Sequence, residues 1–139
     1  MEFPALPEKH LLCFMEALNP AAAKVLIALS GGADSMALFI AACTVLGPEK
    51  LCACWVNHGL RSEAELAKEE ALVKTACKSY KAALMVETIQ PGFLASEAPV
   101  YGGLEAAARH YRYLALEKAR KSMACDLILT GHNANDWLE

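Results

Sequence analysis

Apolar and polar positions follow two rhythms along this chain. Val25-Leu26-Ile27-Ala28-Leu29 and Leu51-Cys52-Ala53-Cys54-Trp55-Val56 are unbroken apolar runs of strand length. Runs of this kind fit strands buried on both faces. Elsewhere the spacing shifts to the three-and-four rhythm of helices. It predicts a helix over 7–18, carrying Leu11, Leu12, Phe14, Met15 and Leu18 and stopped by Asn19-Pro20. A strand over 24–29 follows, then a helix over 35–46 ended by Gly47-Pro48, then a strand over 51–56. Ser62 opens a long helix that reaches Tyr80, and Glu65 three residues on completes a capping box. A third strand is expected over 83–89, a long helix over 104–124 and a fourth strand over 126–130. Residues 90–103 hold Pro91, Gly92, Pro99, Gly102 and Gly103 and read as a mobile loop.

Strands that alternate with helices in this way demand an α/β fold. The architecture expected is a doubly wound parallel sheet with helices on both faces and right-handed crossovers, Rossmann-like in its layering. In such a sheet ligands bind at the carboxyl ends of the strands. Three polar, glycine-bearing segments fall there: 30–35, 57–61 and 131–136. Sheets of this type usually continue beyond a fourth strand, whereas this sequence stops at Glu139. Residues 1–139 are therefore expected to be an incomplete nucleotide-binding domain, either the N-terminal piece of a larger enzyme or a family member lacking its tail.

Composition narrows the classes. A length of 139 residues suits one domain, and 55% hydrophobic with 21% charged residues fits a packed globule. The net charge of −3 gives no global attraction to nucleic acid, so such a partner would need a locally basic face. No apolar run approaches the ~20 residues of a membrane span. Glu2 and Pro4 stand where a signal peptide carries its basic region, so the expected location is the cytoplasm. The six cysteines, Cys13, Cys43, Cys52, Cys54, Cys77 and Cys125, include no C-x-x-C pair. They read as reduced core thiols rather than zinc or iron–sulfur ligands.

The chemistry is carried by four motifs. Ser30-Gly31-Gly32-Ala33-Asp34-Ser35 follows the first strand and enters a helix. Glycines let the backbone turn sharply and bring N–H groups to an anion, and the helix start adds further N–H groups and a positive dipole end. This is a pyrophosphate cradle. Ser30 and Ser35 can add hydroxyl donors, and Asp34 can hold a metal. No Lys follows the glycines, so it is not a Walker loop. In Asn57-His58-Gly59-Leu60-Arg61, His58 can exchange a proton and Arg61 can pair with phosphate; alone, the segment would also fit a turn with a solvated arginine. In Glu105 to Tyr113, Arg109 and Arg112 are three apart and share a helix face, and Glu105 is placed to orient Arg109. Lys118, Arg120 and Lys121 further along fit a solvated, ion-paired surface. In Thr130 to Glu139, His132, Asp136 and Glu139 bring an imidazole and two carboxylates, hard oxygen ligands suited to Mg²⁺ held jointly with phosphates. Asn133 or Asn135 could equally be a helix N-cap.

The set S-G-G-A-D-S, V-N-H-G-L-R, E-A-A-A-R-x-x-R-Y and T-G-H-N-A-N-D-x-x-E resembles the tRNA(Ile)-lysidine synthetases, PP-loop enzymes of the N-type ATP pyrophosphatase superfamily. The resemblance runs from Lys24 to Glu139. It implies ATP-dependent ligation of L-lysine to C2 of the wobble cytidine of tRNA(Ile) with a CAU anticodon, through an adenylated intermediate. It also implies that Ser30, Gly31, Gly32, Ala33, Asp34, Ser35, His58 and Arg61 bind ATP, that Asp34 and Asp136 hold Mg²⁺, and that Asp34, Arg109, Arg112, His132, Asp136 and Glu139 serve catalysis. The family's last motif usually runs D-D-Q-x-E-T; here Asn135 and Trp137 replace its first Asp and its Gln, and no Thr follows Glu139. The tRNA-binding regions of the family lie beyond this length, so the chain alone is expected to have little activity. The competing expectations are another PP-loop tRNA-modifying enzyme, such as a thiolation enzyme, and a non-catalytic ATP-binding module.

Overall fold

The structure is a computed structural model and describes residues 24–30 and 32–131. The helix expected over 7–18 lies outside the described residues. The elements are β1 (Val25–Leu29), α1 (Ala33–Leu46), a short 3-10 turn (Pro48–Lys50), β2 (Leu51–Asn57), α2 (Glu63–Ser79), β3 (Ala83–Thr88), α3 (Phe93–Tyr101), α4 (Leu104–Ser122) and β4 (Leu127–Thr130). Every strand pairing is parallel, and the order across the sheet is β3-β2-β1-β4. Val25 registers with Leu51 on one side and with Leu127 on the other.

The apolar runs of β1 and β2 are buried throughout because each face of the sheet is covered. Alternate residues divide between two layers, as the two-residue period of a strand requires. Val25, Ile27, Leu29, Leu51, Ala53 and Trp55 pack with Phe39 of α1 and with Leu66, Val73 and Cys77 of α2. Leu26, Ala28, Cys52, Cys54 and Val56 pack against Leu116 and Ala119 of α4 and against Cys125. The doubly wound α/β sheet expected from the sequence is thus the fold observed.

Lys24 fixes the amino end of the sheet. Its backbone N–H donates to Asp126 Oδ2 at 2.8 Å, and its Nζ donates to the Met123 carbonyl at 2.9 Å. Because α4 ends beside the start of β1, it runs back against the strands. Its first turns, with Glu105 and Arg109, stand at the carboxyl edge.

One expectation is corrected. Residues 90–103 are not a structureless loop, since Phe93–Tyr101 is helical even though Pro99 lies inside it. The glycines that looked like loop residues are its caps. Gly92 (φ 83°) and Gly102 (φ 86°) are both left-handed, and the Gly102 N–H reaches the Ala98 carbonyl. Leu94 is buried and ties the helix down, while Phe93 and Tyr101 pack edge-on against Tyr111 of α4.

Candidate functional site

The first segment at the carboxyl edge is the turn between β1 and α1. Ser35, in the first turn of α1, is buried and acts as its hub. The Ser30 N–H donates to Ser35 Oγ at 2.9 Å, and the two hydroxyl oxygens are 2.9 Å apart. Ser35 Oγ also lies 3.0 Å from the Ser30 carbonyl and 3.3 Å from that of Gly32. The Gly32 N–H donates to Ser30 Oγ at 3.2 Å. The sequence reading gave both hydroxyls to a phosphate. In the structure they serve first to hold the turn shut.

Gly32 is the N-cap of α1 and offers no side-chain cap. Gly32, Ala33 and Asp34 are exposed, so the first-turn N–H groups and the Asp34 carboxylate share an open helix start. Gly31 lies outside the described residues. Gly131, just past β4, closes the far side of the turn: a Cβ built on it would stand 2.7 Å from Ser35 Cα, 2.8 Å from Ser35 N and 2.9 Å from the Asp34 carbonyl carbon. Only a residue without a side chain lets β4 leave the sheet this close to α1. His132, Asp136 and Glu139, which follow it, lie outside the described residues.

The second segment follows β2. Asn57 Oδ1 accepts from the Gly59 N–H at 3.1 Å, and His58 Nδ1 accepts from the Leu60 N–H at 3.0 Å. Gly59 (φ 69°) supplies the left-handed residue that this tight loop requires. Partial burial lowers the His58 pKa below the ordinary histidine value, Glu69 opposes the shift, and Arg61 and Arg112 add to it. The imidazole is therefore held neutral, consistent with Nδ1 acting as an acceptor.

Arg112, half-buried on α4, is one of the charges that lower the His58 pKa. Arg112 also lowers the pKa of Cys54 in β2, although burial wins and, with Glu87, pushes that thiol up to about 12. Arg109, one turn earlier, is exposed. It lines an open hollow along α4 with Glu105, Ala106, His110, Tyr113 and Leu114. Glu105 shares that hollow without pairing to Arg109. Lys118 and Arg120 fit the solvated reading, paired with Glu87 and Glu117 respectively.

The sequence reading missed Glu69 of α2. It is 9% exposed, accepts from Trp55 Nε1 at 2.9 Å through Oε1, and meets the Arg61 guanidinium at 3.4 Å through Oε2. The available signal was its place on the apolar stripe Leu66, Glu69, Val73, Cys77 of α2, where a carboxylate is out of character. Among the described residues no three His, Cys, Asp or Glu side chains form a metal cluster. None of the described helices is long and apolar enough to cross a membrane.

Comparison with known proteins bears on the family and the fold. The PP-loop domain family model matches residues 7–139. The chain is 34% identical over 116 residues to the tRNA(Ile)-lysidine synthase of Borreliella burgdorferi strain ZS7, a match covering 84% of this chain and 26% of that protein. It is 36% identical over 117 residues to the tRNA(Ile)-lysidine synthase of Bdellovibrio bacteriovorus, covering 84% and 34%. With that of Clostridium perfringens (strain ATCC 13124) it is 36% identical over 118 residues, covering 84% and 24%. The chain therefore spans about a quarter to a third of the length of these relatives, 24–34%. Among solved structures, the NH3-dependent NAD synthetase of Campylobacter jejuni superposes with a TM-score of 0.70 at 17% identity, over 94% of this chain and 57% of that one. The U34-tRNA thiolase NcsA of Methanococcus maripaludis, solved with its [4Fe-4S] cluster, superposes at 0.68 and 19% identity, over 82% and 40%. At these identities the two structures speak for the fold alone.

Proposed function

The chain belongs to the PP-loop domain family, and on that premise we propose that it is the ATP-binding part of a tRNA(Ile)-lysidine synthetase. The observation that carries this reading is that the Ser30–Ser35 turn and the 57–61 loop leave the carboxyl ends of the neighbouring parallel strands β1 and β2. The identity of 34–36% to lysidine synthases supports the choice of reaction. The edge is also a topological switch point. From β1 the sheet grows through β2 to β3 on one side and to β4 on the other, so a crevice opens above β1 and β4.

ATP lies with its β and γ phosphates on the first-turn N–H groups of α1. The C2 oxygen of the wobble cytidine attacks the α-phosphorus, the bond from that phosphorus to the α–β bridging oxygen breaks, and pyrophosphate leaves into the cradle. Arg61, Arg109 and Arg112 offset the charge on the phosphates and on the adenylated cytidine. An amine of lysine then attacks C2, the C2–oxygen bond breaks, and AMP leaves as the amine loses its proton. His132, Asp136 or Glu139 takes that proton. Neutral His58 braces its own loop rather than delivering a charge.

Asp34 fits Mg²⁺ as one hard carboxylate on an exposed helix start, the minimal protein share for an ion held mostly by phosphates. Asp136 would be the second ligand, and the ion would offset charge on the departing pyrophosphate. The compartment that holds tRNA, lysine and ATP together is the cytoplasm, where we place the reaction.

The test is pyrophosphate release with ATP, Mg²⁺, lysine and a tRNA(Ile) transcript carrying CAU. It is run on the chain and on a chimera in which the chain replaces the matching part of the Clostridium perfringens relative. Release that needs this tRNA is expected in the chimera. ATP binding without release in the chimera would leave a nucleotide-binding module and overturn the ligase reading.

A further inference from the structure

The second oxygen of Glu69 is the least explained feature of the site's surroundings. A carboxylate on the buried face of α2 is costly to desolvate unless its oxygens are engaged. Oε1 is engaged inward, by the indole N–H of Trp55, a side chain that is itself 1% exposed. Oε2 faces outward, to the Arg61 guanidinium at 3.4 Å. The arginine side chain is 59% exposed, so its outer part is open to a ligand while one nitrogen is held from behind. Arg61 is also placed from both sides along the chain. The Gly59 turn precedes it, and Ser62, the next residue, caps α2 through the Glu65 N–H at 3.2 Å.

We propose that Glu69 is a positioning residue, a rigid carboxylate anchored on Trp55 that aims Arg61 at the phosphates of the nucleotide. This rests on the reading above, in which Arg61 meets those phosphates. The physical need is plain. An exposed arginine samples many rotamers, and each must be given up when it grips an anion. A buried partner that already holds one nitrogen reduces that loss. The carboxylate is held in turn by a core indole, so it cannot follow the arginine outward.

ATP affinity of the whole chain is measured for the wild type, Glu69→Gln, Arg61→Gln and the double variant, with thermal midpoints recorded beside them. Gln keeps an oxygen for the Trp55 N–H, so the fold is expected to persist while the charge behind Arg61 is lost. Glu69→Gln is expected to weaken ATP about three- to tenfold at an unchanged midpoint, and the double variant to bind no worse than Arg61→Gln alone. Additive losses, or a Glu69→Gln protein that binds like the wild type while Arg61→Gln does not, overturn the proposal. So does an Arg61→Gln protein with undiminished affinity. A wild type that binds no ATP fails the underlying functional reading and takes this proposal with it, a result distinct from the others. A second measurement needs no stable Glu69 variant. The Trp55 indole N–H resonance, assigned with Trp55→Phe, is expected to shift along the ATP binding curve. ATP binding that leaves that resonance still overturns the proposal.

Discussion

At the scale of single residues, the site is held by short polar contacts that a substitution can address one at a time. Gly131 is the sharpest case. A methyl there would press on backbone atoms of Ser35 and Asp34 at 2.7–2.9 Å, and backbone cannot swing aside as a side chain tip can. Gly131→Ala is therefore expected to destabilise the protein by roughly 1–3 kcal/mol and to weaken ATP binding, read by denaturant unfolding and by nucleotide titration. His58 reports the charges around it. Burial lowers its pKa, Glu69 opposes this and Arg112 reinforces it. NMR titration of the imidazole should thus give a value below the ordinary one, raised by Arg112→Ala and lowered further by Glu69→Gln. The sign for stability follows. A base whose folded pKa is lowered carries no penalty above its unfolded pKa, and destabilises the fold as pH falls below it. The motifs that resemble the lysidine synthetases made most of these residues legible in the sequence. Glu69 was not, because its partners Trp55 and Arg61 lie 14 and 8 residues away and meet it only once α2 packs on the sheet.

Among the elements, the sequence was clearest where a strong period met a strong cap. Ser62 was expected to open α2 and does so, its hydroxyl accepting from the Glu65 N–H. The failure at α3 has a physical cause. Gly and Pro mark both loops and helix ends, and nine residues are too few for a periodic pattern to outweigh the five such residues in 90–103. The far ends of α2 and α4 were placed to within two residues, yet their chemistry was hidden. Both close with a residue in the left-handed region that is not glycine: Lys81 (φ 59°) and Ala124 (φ 54°). The next N–H reaches back over the turn in each, Ala82 to the Cys77 carbonyl and Cys125 to the Arg120 carbonyl, both at 2.9 Å. This is the Schellman geometry, which favours glycine at that position. Ala124→Gly removes the strain of a Cβ there and is expected to stabilise the protein by about 0.5–1 kcal/mol, after the entropy that glycine adds to the unfolded chain. The denaturant midpoint should rise with an unchanged slope.

For the whole molecule, alternation of elements foretold a parallel sheet but not the order of its strands. That order depends on β4 crossing back to the free side of β1, a choice made by which edge α4 can reach while burying Leu116 and Ala119. The crevice follows from it, so the location of the site belongs to the topology as much as to any motif. The same two-layer construction governs the thiols. Cys43 and Cys77 lie in one layer, Cys52, Cys54 and Cys125 in the other, and all five are free and buried. Burial pushes Cys43, Cys77 and Cys125 up to about 11 and Cys54 to about 12. A thiol whose pKa is raised by folding adds stability that is full below its unfolded pKa and is lost as pH climbs through the folded one. Stability should accordingly fall as pH rises above the ordinary thiol pKa of 9.0 towards 11 and 12. At neutral pH, alkylation followed by mass spectrometry should find these five thiols protected. Because β1 and β2 contribute alternate residues to both layers, one layer cannot open without disturbing the strands that carry the other. The five should therefore react together, at the rate of global unfolding. Faster labelling of Cys52, Cys54 and Cys125 than of Cys43 and Cys77 would mean that α4 leaves the sheet by itself, and the arginines it carries would then be held in the site by the ligand rather than by the fold.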